Sequence, residues 1–344
     1  LVYNWVMVDQ ELSLFHDTAP ILSITELGTP MPGSDSLWSA KDPMEWLAAI
    51  QINKGANWMS PTSLPGPPLQ PSLCDLFQDI LHDNRRYGQL SPLELRLLLH
   101  PIQSLLFHLR QVSSCFSDLF NSRRGSRTLT KTSTLLRLEE IQSSLQKWYE
   151  LSTTNANSNC LVTQANLVLY HLISLNAITS FPETERLARR EGFDGSSREL
   201  VLRYKRCIHQ SEEAVFHCGQ VIRLVSSMPK DGQPYWWSTA VYRATMILWV
   251  DSLFRLDQDT QGAEGQTFPI NMVMEDDPML ISFLGSGEGR PVIRRGERDY
   301  RLLPDEVLSH CVALINEQGQ ALRVSEGIKR KLQTLAVNWG MKAM

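Results

Sequence analysis

The stretch Val201–Val225 reads VLRYKRCIHQSEEAVFHCGQVIRLV, and its periodicity decides the fold class. Val201, Ile208, Val215 and Ile222 recur every seven residues, with Tyr204, Ser211, Cys218 and Val225 interleaved three positions after each. At 3.6 residues per turn these positions fall on one stripe, so the spacing predicts a helix packed along its length against other helices. A half-buried strand would alternate apolar and polar residues, and this stretch does not.

Working outward, the same period recurs. SPLELRLLLHPIQSLLFHLRQVSSCFSDLF (residues 91–120) predicts two helical pieces, with Ser91 capping the first, Pro92 at its opening position and Pro101 kinking or ending it. Further helices are predicted over Asp42–Asn53, Leu135–Leu151, Leu161–Ile178, Pro234–Phe254 and Pro304–Trp339. Strand signals are short and isolated, and no internal repeat is present, so the predicted class is all-α: a multi-helix domain with long loops. Those loops are the proline-rich Ser60–Ser72, the basic Asn121–Thr134, the polar Ser152–Cys160, and Asp257–Glu288, where every charged residue is acidic. The predicted organisation is a helical domain over residues 1–256, an acidic then basic mobile loop over 257–303, and a helix over 304–344 returning to the same domain.

The totals narrow the class. A chain of 344 residues that is 42% hydrophobic and holds nine tryptophans can bury a sizeable core. A net charge of −4 argues against gripping nucleic-acid phosphates over a broad face. Six cysteines at this length do not make a secreted disulfide framework, which points to a reducing compartment. The opening LVYNWVMVDQELSLF already reads as helix interior without a signal peptide, so the expectation is a fragment lacking the N-terminal part of its domain. Tyr235–Phe254 is long enough to span a bilayer, but Arg243 and Asp251 lie inside it, and no membrane span is expected.

Catalytic and metal chemistry find little support. Cys207, His209, His217 and Cys218 resemble a ligand set, yet on one helix the two cysteines lie about three turns apart, too far for one tetrahedral ion. LGSGEGR (residues 284–290) has no preceding strand and no lysine to cradle a phosphate. EDDP (residues 275–278) lacks the one-turn spacing that aims two acids at one ion cluster, and reads as a solvated loop. His16, Asp17 and Ser23 make no triad, because adjacent His and Asp cannot easily place the carboxylate behind the imidazole. His16-Asp17 reads instead as a helix C-terminus before Pro20. No catalytic residue, cofactor site or metal site is predicted. In RRGS (residues 123–126) two arginines precede Ser126, a possible phosphosite.

The first forty residues then fall into one pattern. VYNWVMVDQELSLFHDTAPILSITELGTPMPGSDSLWSA (residues 2–40) resembles the signature of the fungal-specific transcription factor domain, or middle homology region. That signature runs from a helix with Asp and Ser-Leu through a proline turn, a hydrophobic stretch and a second proline turn to an acidic spacer and Leu-Trp. Asp9, Ser13, Leu14, Pro20, Ile21, Pro30, Pro32, Asp35, Leu37 and Trp38 fill those places. Leu14-Phe15 resembles the branch with two-cysteine, two-histidine zinc fingers upstream, and residues 217–225 and 232–250 resemble later helices of that branch. Thr18-Ala19-Pro20 departs from the Gly-Arg-Pro of many members, which points away from the zinc-cluster branch.

The resemblance implies a regulatory domain of a nuclear transcription factor that is not an enzyme and is not bound to a membrane. Its partners would be transcriptional co-regulators, and it would reach DNA only through a missing N-terminal region whose fingers hold zinc. The rival is a helical scaffold or adaptor without a transcriptional role. Structurally, Pro20, Pro30 and Pro32 should hold an extended crossover that Ile21, Leu22, Ile24 and Leu27 attach to the core. Leu37 and Trp38 should anchor the next helix, capped by Asp42 with Pro43 first inside.

Overall fold

A computed structural model describes residues 2–33, 35–54, 71–82, 90–119, 127–154, 160–258, 266–318 and 323–341. In chain order the helices are α1 (Val2–His16), α2 (Asp35–Ser39), α3 (Pro43–Lys54), α4 (Leu73–Leu81), α5 (Pro92–Leu119), α6 (Arg127–Thr154), α7 (Leu161–Ile178), α8 (Phe181–Ala188), α9 (Ser197–Cys207), α10 (Ser211–Ser227) and α11 (Trp237–Gln258). There follow β1 (Thr267–Pro269), α12 (Pro278–Ser286), β2 (Arg290–Arg295), β3 (Arg298–Arg301), α13 (Pro304–Gln318) and α14 (Arg323–Asn338). The class is mainly all-α, with one small sheet.

α10 is the centre of the packing. It lies between α7 and α11; α7 also rests on α5 and α6, while α11 carries α8, α9, α13 and α14. Val215, Cys218, Val221, Ile222 and Val225 of α10 are buried, as the stripe predicts. Among the described residues, α7 is the helix long and apolar enough to cross a membrane by composition alone, and 67% of it is buried inside the fold. Its apolar surface serves packing. Helix starts follow elementary capping: Ser72 and Asp75 form a capping box at α4, Ser91 and Glu94 exchange the same pair of bonds at α5, and Asp42 accepts from the Glu45 amide at α3.

Three predicted boundaries shift, besides that of α6, which opens at Arg127 inside the stretch read as a basic loop. The stretch 201–225 is two helices: Ile208 turns extended and bridges Thr179, with Ser180 N–H donating to the Cys207 carbonyl (2.7 Å) and His209 N–H to that of Ile178 (2.9 Å). Ile208 stays buried, so the stripe continues across the break and the period is blind to it. The Asp251 carboxylate joins the pieces, accepting from Tyr204 of α9 (2.8 Å) and Ser211 of α10 (2.7 Å), with Arg255 at 2.6 Å. Second, α5 runs through Pro101 without ending. A mid-helix proline costs about 3 kcal/mol, and the burial of Leu97, Leu98, Leu99, Ile102 and Leu106 outweighs it. Third, the helix predicted over 304–339 is the pair α13 and α14.

The largest departure is the stretch read as a loop over 257–303, which from residue 266 onward is built into the core. β1 pairs parallel with β2, in register Phe268↔Pro291, and β2 pairs antiparallel with β3, in register Ile293↔Tyr300. Phe268, Ile270, Leu280, Phe283, Val292 and Ile293 are all buried. Asp277, part of the supposed solvated acids, caps α12 by accepting from the Met279 amide, and Gly287 ends that helix in the left-handed region (φ 72°). The strands are too short for a period to show.

Gly219 decides how this segment docks. A Cβ there would sit 2.5 Å from the Ile270 carbonyl oxygen, so only glycine lets the chain cross α10 so closely. Next to it Gln220 donates to the Val273 carbonyl (2.9 Å). Gly219→Ala should therefore destabilise the protein by about 1–3 kcal/mol despite alanine's better helix propensity. Gly285→Ala, where a Cβ meets nothing within 4 Å, should be neutral or mildly stabilising. Denaturant midpoints of the two variants decide the matter, and equal midpoints would refute the close crossing.

Candidate functional site

Two polar constructions stand out, and the first is the crossover that follows α1. Asp17 takes a left-handed conformation (φ 52°) just past the helix end, and the chain turns back along it. The Asp9 carboxylate, 7% exposed, then receives the returning backbone: Ile21 N–H at 2.9 Å and Leu22 N–H at 3.0 Å. His100 Nε2 of α5 lies 3.0 Å from the same carboxylate. Burial holds the His100 imidazole below its ordinary pKa although Asp9 pulls the other way, so near neutrality it is an uncharged ring donating Nε2–H. Pro20 brings no N–H of its own to the turn, which leaves the carboxylate to the two amides behind it.

The rest of α1 is tied down similarly. Glu11 receives Arg96 of α5 (2.9 Å), Trp236 Nε1 (3.1 Å) and the Tyr235 hydroxyl. Asp17 pairs with Arg243 of α11, whose guanidinium lies 4.1 Å over the Phe181 ring. Ser13 and Leu14 are buried between α1 and its neighbours. Pro30 bridges Ser72, and Met31 N–H donates to the Pro71 carbonyl (3.0 Å), fixing the far end of the crossover beside α4. Pro32 and Leu37 are half-buried, Trp38 lies in α2, and Ser126 lies outside the described residues. Leu22 and Ile24 pack on the core and Leu27 and Met31 are buried within it. Ile21 departs from expectation at 83% exposed: its backbone makes the contact and its side chain is left in solvent.

The second construction is a cavity of about 450 Å³ bounded by α6, α7, α10 and α12. Tyr170, Ser174, Glu213, Phe216, His217 and Glu275 supply its polar and aromatic wall. His217 Nδ1 meets His171 Nδ1 at 2.9 Å, so one ring donates and the other accepts. Burial pushes His217 down to about 4 and His171 well below the usual range, which keeps both neutral. Burial also raises the Glu213 and Glu275 carboxyls, and the Tyr149 hydroxyl lies within reach of Glu275. The period-seven stripe placed residues 215 and 222 in the core but gave no sign of this cavity, whose wall comes from four separate elements.

Among the described residues no group of three or more His, Cys, Asp or Glu is placed to hold a metal ion. Cys207 and Cys218 lie on different helices, both buried, and burial pushes the Cys207 thiol up to about 12.

No family model matches the chain, and no solved structure matches it. Among curated proteins it is 44% identical over 344 residues to Transcription factor 1 of Elsinoe fawcettii, an alignment covering 97% of this chain and 35% of that protein. It is 39% identical over 356 residues to Transcription factor PfmaH of Pestalotiopsis fici, covering 98% of this chain and 35% of the relative. The chain is thus homologous along almost its whole length to fungal proteins named as transcription factors, and spans about a third of their length.

Truncating Asp9 to alanine leaves two backbone donors and the His100 ring unmatched in a buried setting. The variant should lose about 3–5 kcal/mol and become sensitive to proteolysis between residues 18 and 30. An unchanged denaturant midpoint would show that the carboxylate does not hold the crossover. A second outcome follows from His100, His171, His217 and His310, all held by burial below the ordinary histidine range. Folded-state values depressed below the unfolded one mean that stability is full above that ordinary value and falls with pH through the folded values. Unfolding at about pH 7.5 and about pH 5.5 should show a lower midpoint at the acid value; Glu213 and Glu275, whose raised carboxyls act in the opposite sense, offset part of the difference. Equal midpoints would mean that these rings are charged in the native protein.

Proposed function

We propose that this chain is the regulatory region of a fungal transcription factor working in the nucleus. The observation that carries the reading is the alignment of nearly the whole chain with fungal proteins named as transcription factors. The resemblance of residues 2–40 to the fungal-specific transcription factor domain supports the finer assignment, and with it the branch whose zinc fingers lie upstream. On this reading DNA and zinc are bound by a region outside these residues, and residues 1–344 receive co-regulators and report to that region. The helical core, the acidic balance of −4 and the absence of a catalytic constellation among the described residues are compatible with this role.

Fusing residues 1–344 to an unrelated DNA-binding domain should change reporter transcription in a fungal cell, in either direction. A reporter left at the level of the bare DNA-binding domain would favour a helical scaffold. Removing 257–288 is not a clean way to find the contact surface, since Phe268, Leu280 and Phe283 belong to the core and their loss would unfold the domain. Charge reversal at exposed acids is the cleaner probe.

A further inference from the structure

We infer that the cavity between α6, α7, α10 and α12 binds a small organic monocation: an amine carrying an apolar or aromatic group. The inference stands on the cavity alone and not on the transcriptional reading, so the two can fail separately.

The volume of about 450 Å³ lies within the ordinary range of small-ligand sites, roughly 300–1,000 Å³. The lining chooses the sign of charge. It includes two carboxylates, Glu213 from α10 and Glu275 from the turn before α12, and, among the described residues that line it, no lysine or arginine. His217 on the same wall is held neutral by burial and adds no positive charge. Glu213 is half-buried, and its carboxyl is raised by desolvation and by neighbouring Glu212, with no cation among the causes. Glu275 has Arg223 near it, yet its carboxyl is still raised, so the cation does not offset the desolvation. An ammonium entering the cavity would relieve either carboxylate, whereas an anion would add to the negative charge of the wall.

The remaining wall describes the body of the guest. Leu145, Ile178 and Leu284 are apolar, and Tyr170 and Phe216 add aromatic surface that favours a cation or a ring. Tyr170 is fixed by stacking on Trp148 (5.5 Å) and Tyr149 (4.9 Å), so this part of the wall is preorganised.

The test uses purified residues 1–344 near neutral pH and three probes of one size: phenethylamine, 2-phenylethanol and 3-phenylpropionate. Saturation-transfer NMR and calorimetric titration should detect the amine at millimolar concentration, with the neutral alcohol and the anion at least about tenfold weaker. The double variant Glu213→Gln, Glu275→Gln keeps the shape of the wall and should lose about tenfold in amine affinity, while its circular dichroism remains that of the parent and its unliganded melting temperature is no lower. Equal binding of the three probes, undiminished amine binding by the double variant, or no binding of phenethylamine would each overturn the inference. Should the double variant misfold, Glu213→Gln alone carries the same comparison.

Discussion

A single buried carboxylate organises the first part of the chain. Asp9 sits about two turns before the end of α1, and it gathers two amides of the returning backbone and the ring of His100 on α5. A buried charge is tolerated only when its lone pairs are filled, and here the filling groups come from two parts of the chain, the returning backbone and α5. The carboxylate therefore specifies a geometry as well as contributing energy. If the crossover takes another path, the charge is left unmatched, and the cost falls on every alternative fold that buries Asp9. Glu11 and Asp17 extend the arrangement to α11, so α1 is clamped between the elements that carry the core.

The centre of the fold obeys a different constraint, that of close packing. α10 is surrounded, and where the β1–α12 segment must cross it there is room for a backbone and nothing more. Gly219 supplies that room. The break between α9 and α10 belongs to the same economy of space: by turning extended at Ile208 the chain bridges the end of α7 and then continues in a new direction, while Asp251 gathers the hydroxyls of Tyr204 and Ser211 on either side. Ser211, the polar oddity in an apolar stripe, is a ligand of that carboxylate.

What the sequence made legible, and what it hid, divide along physical lines. Helices α5, α7 and α11 were readable from their apolar helical patterning, and the start of α5 because the Ser91 cap is local chemistry. The pattern Asp9, Pro20, Pro30 and Pro32 was readable as a crossover, but the contact that fixes it was not, since His100 lies far away in the chain. The continuity of α5 through Pro101 depends on tertiary burial that no local rule counts. The sheet escaped because its strands are short and the surrounding acids suggested solvent. The cavity escaped for a stronger reason: Tyr170, Glu213, His217 and Glu275 become neighbours only once α7, α10 and the turn before α12 are packed.

The distribution of charge in the folded chain closes the physical account. Acidic groups that hold structure (Asp9, Asp17, Asp251) are each met by donors, and Arg96 and Arg243 are buried against carboxylates. His171 and His217 are held uncharged and share a hydrogen bond without adding charge to the core, and His310 is likewise held below the ordinary histidine range by burial. Against that background Glu213 is the exception. It is a half-buried carboxylate whose environment raises its pKa through burial and a like charge, and evolution of a stable core would readily replace it with glutamine at similar volume. Destabilising charge is retained most easily where it serves something other than folding, and Glu213 lines a cavity of ligand size whose wall also holds the raised carboxyl of Glu275. The feature least useful to the fold is thus the one with the clearest chemical preference for a guest.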